Sequence, residues 1–284
     1  MMEKIQIAYI GGGSRLWARR MMSDLALAKN IKANVVLHDI DHQAALNNAQ
    51  IGNLMQADSK ALSSVTYEAE KDLKKALKNA DFVFISILPA TFKEMDAYVH
   101  ETEKWGVYQP VGDTAGPAGI FRSLIMMPIY EDIALAIKEV SPKAWVINFT
   151  NPMTMCVQML YHFFPDIKAF GNCHEVFNAQ KVLAMALEEH FGHDIDFKEI
   201  HINPKGINHF TWIDYATYKD VDVFPIYEAF AKKHLNYGID RKRWIHEPPF
   251  GSGERVKLDL FLKYGMIAAA GDRHLVEFLP QDAY

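Results

Sequence analysis

Short apolar runs alternate with amphipathic stretches along the first half of this chain, and that alternation limits its fold more than any other feature. Apolar runs of roughly four to eight residues are strand-length, whereas apolar residues recurring every three or four positions mark helices. Strands joined by helices run parallel, with the helices covering both faces of the sheet. The pattern predicts an α/β fold whose N-terminal part is a Rossmann-like, doubly wound parallel sheet. Strands are expected over 4–10, 34–38, 65–69, 81–88, 144–149 and 167–171, and helices over 14–29, 41–59, 71–79, 91–104, 121–140 and 176–191. Beyond about residue 195 the texture changes to that of an α+β region. There, 197–219 reads as longer extended segments with Asn203-Pro204-Lys205-Gly206 as a turn, followed by helices over 225–236 and 255–270. The Pro/Gly-rich stretch Glu247–Gly253 separates those two helices. Two domains are expected, residues 1–195 and 196–284.

Half of the 284 residues are hydrophobic, enough for a sizeable core. A net charge of −5 with no basic stripe argues against nucleic acid, and apolar runs broken by charge argue against a membrane span. Cys156 and Cys173 are too few for a disulfide framework. With no charged-then-apolar leader ahead of the first strand, a cytoplasmic location is expected.

The first strand runs directly into Gly11-Gly12-Gly13-Ser14-Arg15, which opens the first helix. Glycines there let the backbone approach a pyrophosphate, whose charge meets the helix N-terminus. Leu16 replaces the motif's third glycine, so the context carries the reading. The second strand ends in His38-Asp39-Ile40-Asp41. An acid at that position hydrogen-bonds a ribose 2′-hydroxyl and selects NAD over NADP. Asp39 is the better candidate, since Asp41 is placed to cap the next helix.

Cys173 and His209 form the second constellation. One thiolate and one imidazole cannot fill a four-coordinate structural site, whereas a metal held by two protein ligands stays open to polarise a substrate. Taken singly, each would be an ordinary core residue. His174 and Glu175 follow Cys173 as groups that could support the metal or touch substrate. Asn151, at the carboxyl end of an apolar strand, could hold a sugar hydroxyl or a cofactor ribose. The glycine-rich loop Gly112–Gly119 could close over a ligand, with Arg122 pairing an anion. Asp259 interrupts an apolar helix that also carries Tyr264, and a buried acid there needs a partner or a purpose.

Together these segments resemble glycoside hydrolase family four, the NAD- and metal-dependent glycosidases that stand outside the two-carboxylate mechanism. The markers are Gly11–Gly13, Gly112–Gly119 with Arg122, Thr150-Asn151-Pro152, Cys173, Asn208-His209 and Gly271-Asp272-Arg273-His274-Leu275-Val276-Glu277-Phe278, spread from Ile7 to about Pro280. Cys173-His174-Glu175-Val176 is similar to the α-galacturonidase version of the tetrapeptide that tracks substrate in this family. The resemblance implies Mn²⁺, or another divalent metal, on Cys173 and His209. It also implies a redox-assisted elimination: hydride is held on NAD while Asp259 removes the C2 proton, with Tyr264 a weaker substitute as base. His174 would assist the leaving group, and Arg273 or Arg255 would pair with a uronate carboxylate. Family members continue well past Pro280, so 196–284 is expected to be only part of the catalytic domain; a homo-oligomer is also expected. A lactate/malate-type 2-hydroxyacid dehydrogenase and a non-catalytic NAD-binding protein are the rival readings. Replacing Asp39 by Ala should weaken NAD⁺ binding by about 1–3 kcal/mol. Calorimetry showing no NAD⁺ binding, or a preference for NADP, would remove the ribose assignment.

Overall fold

The structure, a computed structural model, describes residues 4–239, 252–281 and 283–284. Two compact units divide the chain. The first comprises residues up to Phe92 together with Arg122–Asn172, and the second Lys93–Phe121 with Cys173–Tyr284. Helix 175–191 thus packs with the later part of the chain. No described helix is long and apolar enough to cross a membrane.

The first unit holds six parallel strands: β1 (Ile5–Ile10), β2 (Lys32–His38), β3 (Ser64–Ala69), β4 (Phe82–Ile85), β5 (Trp145–Asn148) and β6 (Lys168–Gly171). Their order is β3-β2-β1-β4-β5-β6, the doubly wound order that reverses between β1 and β4. The period-two alternation of β1 explains why both faces need helices. Ala8 and Ile10 pack into one core with Met126, Tyr130 and Ile137 of α5 (Gly116–Val140) and Leu160 of α6 (Met153–Phe163). Ile7 and Tyr9 enter the other, with Met22 of α1 (Trp17–Leu27) and Ala45 of α2 (His42–Ala57). Asp41 caps α2 by accepting from Ala44 N–H, as expected.

Several expectations need correction. Gly116 to Gly119 are already helical, so the open part of the glycine-rich loop is short. Helix α6 has no counterpart in the sequence reading, although Thr154, Gln158 and His162 recur every fourth residue along one face of it. Asn203-Pro204-Lys205-Gly206 is not a turn but part of a strand, described below.

In the second unit, β7 (Ile200–Ile207) and β8 (Phe210–Tyr218) form an antiparallel hairpin, with β9 (Val221–Asp222) and β10 (Ile267–Ala268) also paired to β8. The register shifts between Ile202 and Pro204, on an edge strand where proline is tolerated at a bulge. Among the described residues, beyond α3 (Leu73–Leu77) and α4 (Phe92–His100), the remaining α-helices are α7 (Glu175–Phe191), α8 (Phe224–His234), α9 (Arg255–Tyr264) and α10 (Asp272–Leu275). Leu183, Leu187, Tyr227, Phe230, Leu258 and Phe261 from α7, α8 and α9 join Ile200 and Ile213 in one core. The helix expected to reach Ala270 stops at Gly265, whose left-handed φ of 68° ends it, and Ile267–Ala268 turn back as β10. Of the Pro/Gly-rich stretch, 247–251 lies outside the described residues.

Gly11 has φ +92°, and a Cβ there would lie 2.0 Å from the Ser86 carbonyl oxygen. Gly106 has φ +75° with nothing near its absent Cβ. Gly106→Ala should therefore cost about 1–2 kcal/mol of backbone strain, and Gly11→Ala at least about 3 kcal/mol. Equal shifts in urea denaturation would show that contact with Ser86 does not constrain the loop.

Candidate metal and substrate site

The β7–β8 hairpin closes with Ile207 paired to Phe210, leaving Asn208 and His209 as its two-residue tip. Gly206 permits the close return: a Cβ there would meet the Phe210 carbonyl oxygen at 2.5 Å. Cys173 lies just before α7, with His174 as that helix's N-cap residue. The structure brings the predicted pair together, Cys173 Sγ lying 3.5 Å from His209 Nε2. A thiolate and an imidazole on one tetrahedral ion would stand about 3.6 Å apart, given ordinary metal–sulfur and metal–nitrogen bonds. The donor set therefore fits a single divalent ion.

Other groups surround the far side of His209. Thr114 Oγ1 lies 2.8 Å from His209 Nδ1 and donates its own hydrogen to Asp113 Oδ1, also at 2.8 Å. The His274 ring stacks on His209 with centroids 3.8 Å apart and planes at 22°. Donor atoms of Asp113, His209 and His274 all lie within 4.8 Å of one another. Burial, with the neighbouring His274, outweighs Asp113 and pushes His209 down to about 4, so its imidazole is neutral near pH 7. The 3.7 Å approach of Asp113 to Nδ1 is consequently not an ion pair at that pH. Burial also lowers His274, against the pull of Asp113, and raises the Cys173 thiol.

Two acids brace these segments. Glu175, buried at the start of α7, accepts from Thr211 Oγ1 at 2.8 Å and from Asn208 Nδ2 at 3.3 Å, flanking His209 on both sides. Burial raises its carboxyl, opposed by Thr211, Asn208 and Lys257. Glu277 Oε1 accepts from both Val111 N–H and Gly112 N–H at 2.7 Å, holding the backbone just before Asp113. Lys257, 1% exposed, reaches Glu254 at 2.8 Å.

The remaining candidates are placed as follows. Asp39 stands at the glycine loop, accepting from Gly13 N–H and Asp41 N–H at 2.8 and 2.9 Å. Ser14 Oγ accepts from Trp17 N–H at the start of α1, and Arg15 is exposed. Asn151 is half-buried after β5, and Arg122 is buried with no partner for its Nε among the described residues. Asp259 pairs with Lys263 at 2.7 Å and with the Tyr284 hydroxyl. Burial would raise Asp259, but those two partners hold it below the usual carboxylate range. Among the described residues, no contact joins Asp259 to Cys173 or His209. Tyr264 is exposed, edge-on to Trp212, and Arg273 is exposed. Arg255 donates to the Leu235 carbonyl at the end of α8. Sequence reasoning passed over Asp113, Thr114, His274 and Glu277 as individual site groups. Polar residues inside two glycine-bounded motifs were the available signal.

Burial pushes Glu277 up to about 7. Its contribution to stability is therefore complete below about pH 4.5 and lost as pH rises towards 7, since the folded residue keeps its proton longer. Glu277→Gln retains a carbonyl oxygen for the two N–H groups but cannot titrate. Across about pH 5–7, wild type should lose stability with rising pH relative to this variant. Parallel curves in urea denaturation would show that Glu277 titrates normally.

The model of the family 4 glycosyl hydrolases matches residues 6–189, and that of the family 4 glycosyl hydrolase C-terminal domain matches 205–283. An alpha-galacturonidase of Lachnoclostridium phytofermentans is 53% identical over 283 residues, 99% of this chain and 60% of that protein. The crystal structure of lplD from Bacillus subtilis has a TM-score of 0.92 at 47% identity, covering 98% of this chain and 64% of that one. A 6-phospho-alpha-glucosidase from gut microorganisms, solved with NAD and Mn²⁺, has a TM-score of 0.80 at 18% identity, covering 99% and 62%. Likeness at that identity establishes the fold alone. The chain spans about three fifths of the length of the curated relatives it matches. With both family models and relatives near half identity in agreement, this chain belongs to glycosyl hydrolase family 4.

Proposed function

We propose that the protein hydrolyses α-linked galacturonides by redox-assisted elimination and water addition, using NAD and Mn²⁺. The observation that carries this reading is the 3.5 Å approach of Cys173 to His209, in a chain whose relatives at about half identity are alpha-galacturonidases. Bound NAD would supply a reversible hydride acceptor and Mn²⁺ a Lewis acid, together making a sugar C2 proton acidic.

The chain's own residues then divide the work. Gly11, Gly13, Ser14 and Arg15 receive the pyrophosphate, and Asp39 the ribose. Cys173 and His209 hold the ion, which requires Cys173 to lose its proton. Asp259 accepts the C2 proton, its carboxylate kept ionised by Lys263 and Tyr284. Tyr264 is the second candidate for that base. His174 serves the leaving oxygen, Asn151 and Glu175 contact the sugar, and Arg273 pairs with the uronate. Residues 1–195 form the nucleotide-binding part and 196–284 part of the substrate domain, in a cytoplasmic homo-oligomer. The dehydrogenase reading is not favoured, because it needs no metal and leaves the Cys173–His209 pair without a task.

The test is a hydrolysis screen of galacturonides, glucuronides, neutral and phosphorylated glycosides with NAD⁺, Mn²⁺ and a reductant, run in D₂O. Galacturonide should be cleaved only with NAD⁺, and its product should carry deuterium at C2. Cleavage without NAD⁺, or without label, overturns the mechanism, and cleavage of neutral or phosphorylated sugars alone overturns the substrate. Cys173→Ser should weaken Mn²⁺ binding in calorimetry while leaving the thermal unfolding profile intact.

A further inference from the structure

We infer that Asp113 and Thr114 are positioning residues that fix the tautomer of His209, placing its one proton on Nδ1 and leaving Nε2 as a bare lone pair beside the Cys173 sulfur. The inference rests on the metal assignment only for its purpose; the tautomer follows from hydrogen-bond accounting.

A threonine hydroxyl has one hydrogen, and a carboxylate has none to give. Thr114 Oγ1 and Asp113 Oδ1 stand 2.8 Å apart, so the hydrogen between them is the hydroxyl's. Were that hydrogen turned towards His209 instead, two oxygens would face each other at that distance with nothing between them. Thr114 Oγ1 can therefore only accept from His209 Nδ1, 2.8 Å away. Asp113 lies 3.7 Å from the same nitrogen, too far for a direct bond, and acts through the hydroxyl. A neutral imidazole has one N–H, so Nε2 is left unprotonated.

Surrounding structure keeps the relay in register. Glu277 takes two backbone N–H groups immediately before Asp113, which fixes where the carboxylate sits. His274 lies flat against the His209 ring, opposing the rotation that would exchange Nδ1 for a carbon. Free imidazole side chains favour the proton on Nε2, the nitrogen that here faces the thiol. The relay reverses that preference, and a ligating imidazole needs the reversal because a metal binds only the unprotonated nitrogen.

The test uses protein labelled with ¹⁵N in histidine, free of metal and near neutral pH. Long-range ¹H–¹⁵N correlation reads the tautomer, and loss of signals in His209→Gln assigns the residue. Wild type should show the Nδ1–H form of His209, and Thr114→Ser should keep it. Thr114→Val, equal in shape but without a hydroxyl, should move His209 towards the Nε2–H form and raise the Mn²⁺ dissociation constant by roughly 10- to 100-fold in calorimetry. An Nε2–H tautomer in wild type, or an unchanged Nδ1–H tautomer in Thr114→Val, overturns the inference. So does an equal loss of Mn²⁺ affinity in the serine and valine variants, which would mark a packing effect. If Cys173→Ser binds Mn²⁺ as wild type does while the tautomer shift still occurs, the metal assignment fails and the relay stands.

Discussion

A histidine ring that is 2% exposed has two nitrogens to satisfy, and this requirement organises the second unit around His209. A buried donor or acceptor left without a partner costs about 1–3 kcal/mol, a sizeable part of a domain's net stability. Nδ1 meets Thr114 and Nε2 meets Cys173. Those partners come from chain segments 95 and 36 residues away, and His274 closes the ring's face from a third. The hairpin register follows from the same need. Sliding β7 past β8 by one residue would turn His209 away from all three, and Glu175 opposes such a slip by bonding residues on both sides of it.

The glycine-loop end of the first unit solves a different problem by local means. Its glycine loop is held in shape by side chains from neighbouring segments. Asn48 of α2, buried, donates to the carbonyls of Gly12 and Ser14, while Asp39 accepts from Gly13 N–H. Gly11 bends under the Ser86 carbonyl, and a Cβ on Gly12 would strike Leu37. The loop's shape is therefore set by the chain itself, and a loop already in shape limits the ordering entropy that binding a ligand must overcome.

The contrast explains what the sequence made legible. Strand and helix alternation, the glycine loop and its distant acid are readable because period and turn chemistry act over a few residues. Asp41 as cap and Asp39 as the loop's acid are distinguished by position alone. The mistaken turn at Asn203-Pro204-Lys205-Gly206 has turn composition, yet an edge strand with a bulge accommodates it because its proline has no ladder bond to donate. The helix drawn through to Ala270 missed Gly265, whose left-handed backbone ends α9. Cys173 and His209 stand out as chemistry in short motifs. Thr114 and Asp113 do not, because only tertiary packing tells a hydroxyl on a glycine-rich loop from any other.

Several polar atoms in the segments that meet at His209 are buried without partners among the described residues: Glu175 Oε2, Asn208 Oδ1, His274 Nδ1 and Glu277 Oε2. Each belongs to a residue whose other polar atom is bonded or whose ring is stacked, so disorder does not account for them. A core selected only for stability would replace such groups with carbon of similar shape, at no loss and often with gain. Retaining two carboxyl oxygens, an amide oxygen and a ring nitrogen in so small a neighbourhood is what a site for a polar or cationic ligand requires. The burial that leaves them unsatisfied also keeps His209 neutral and so available as a ligand. The same desolvation that costs folding energy thus sets the protonation state on which the chemistry rests.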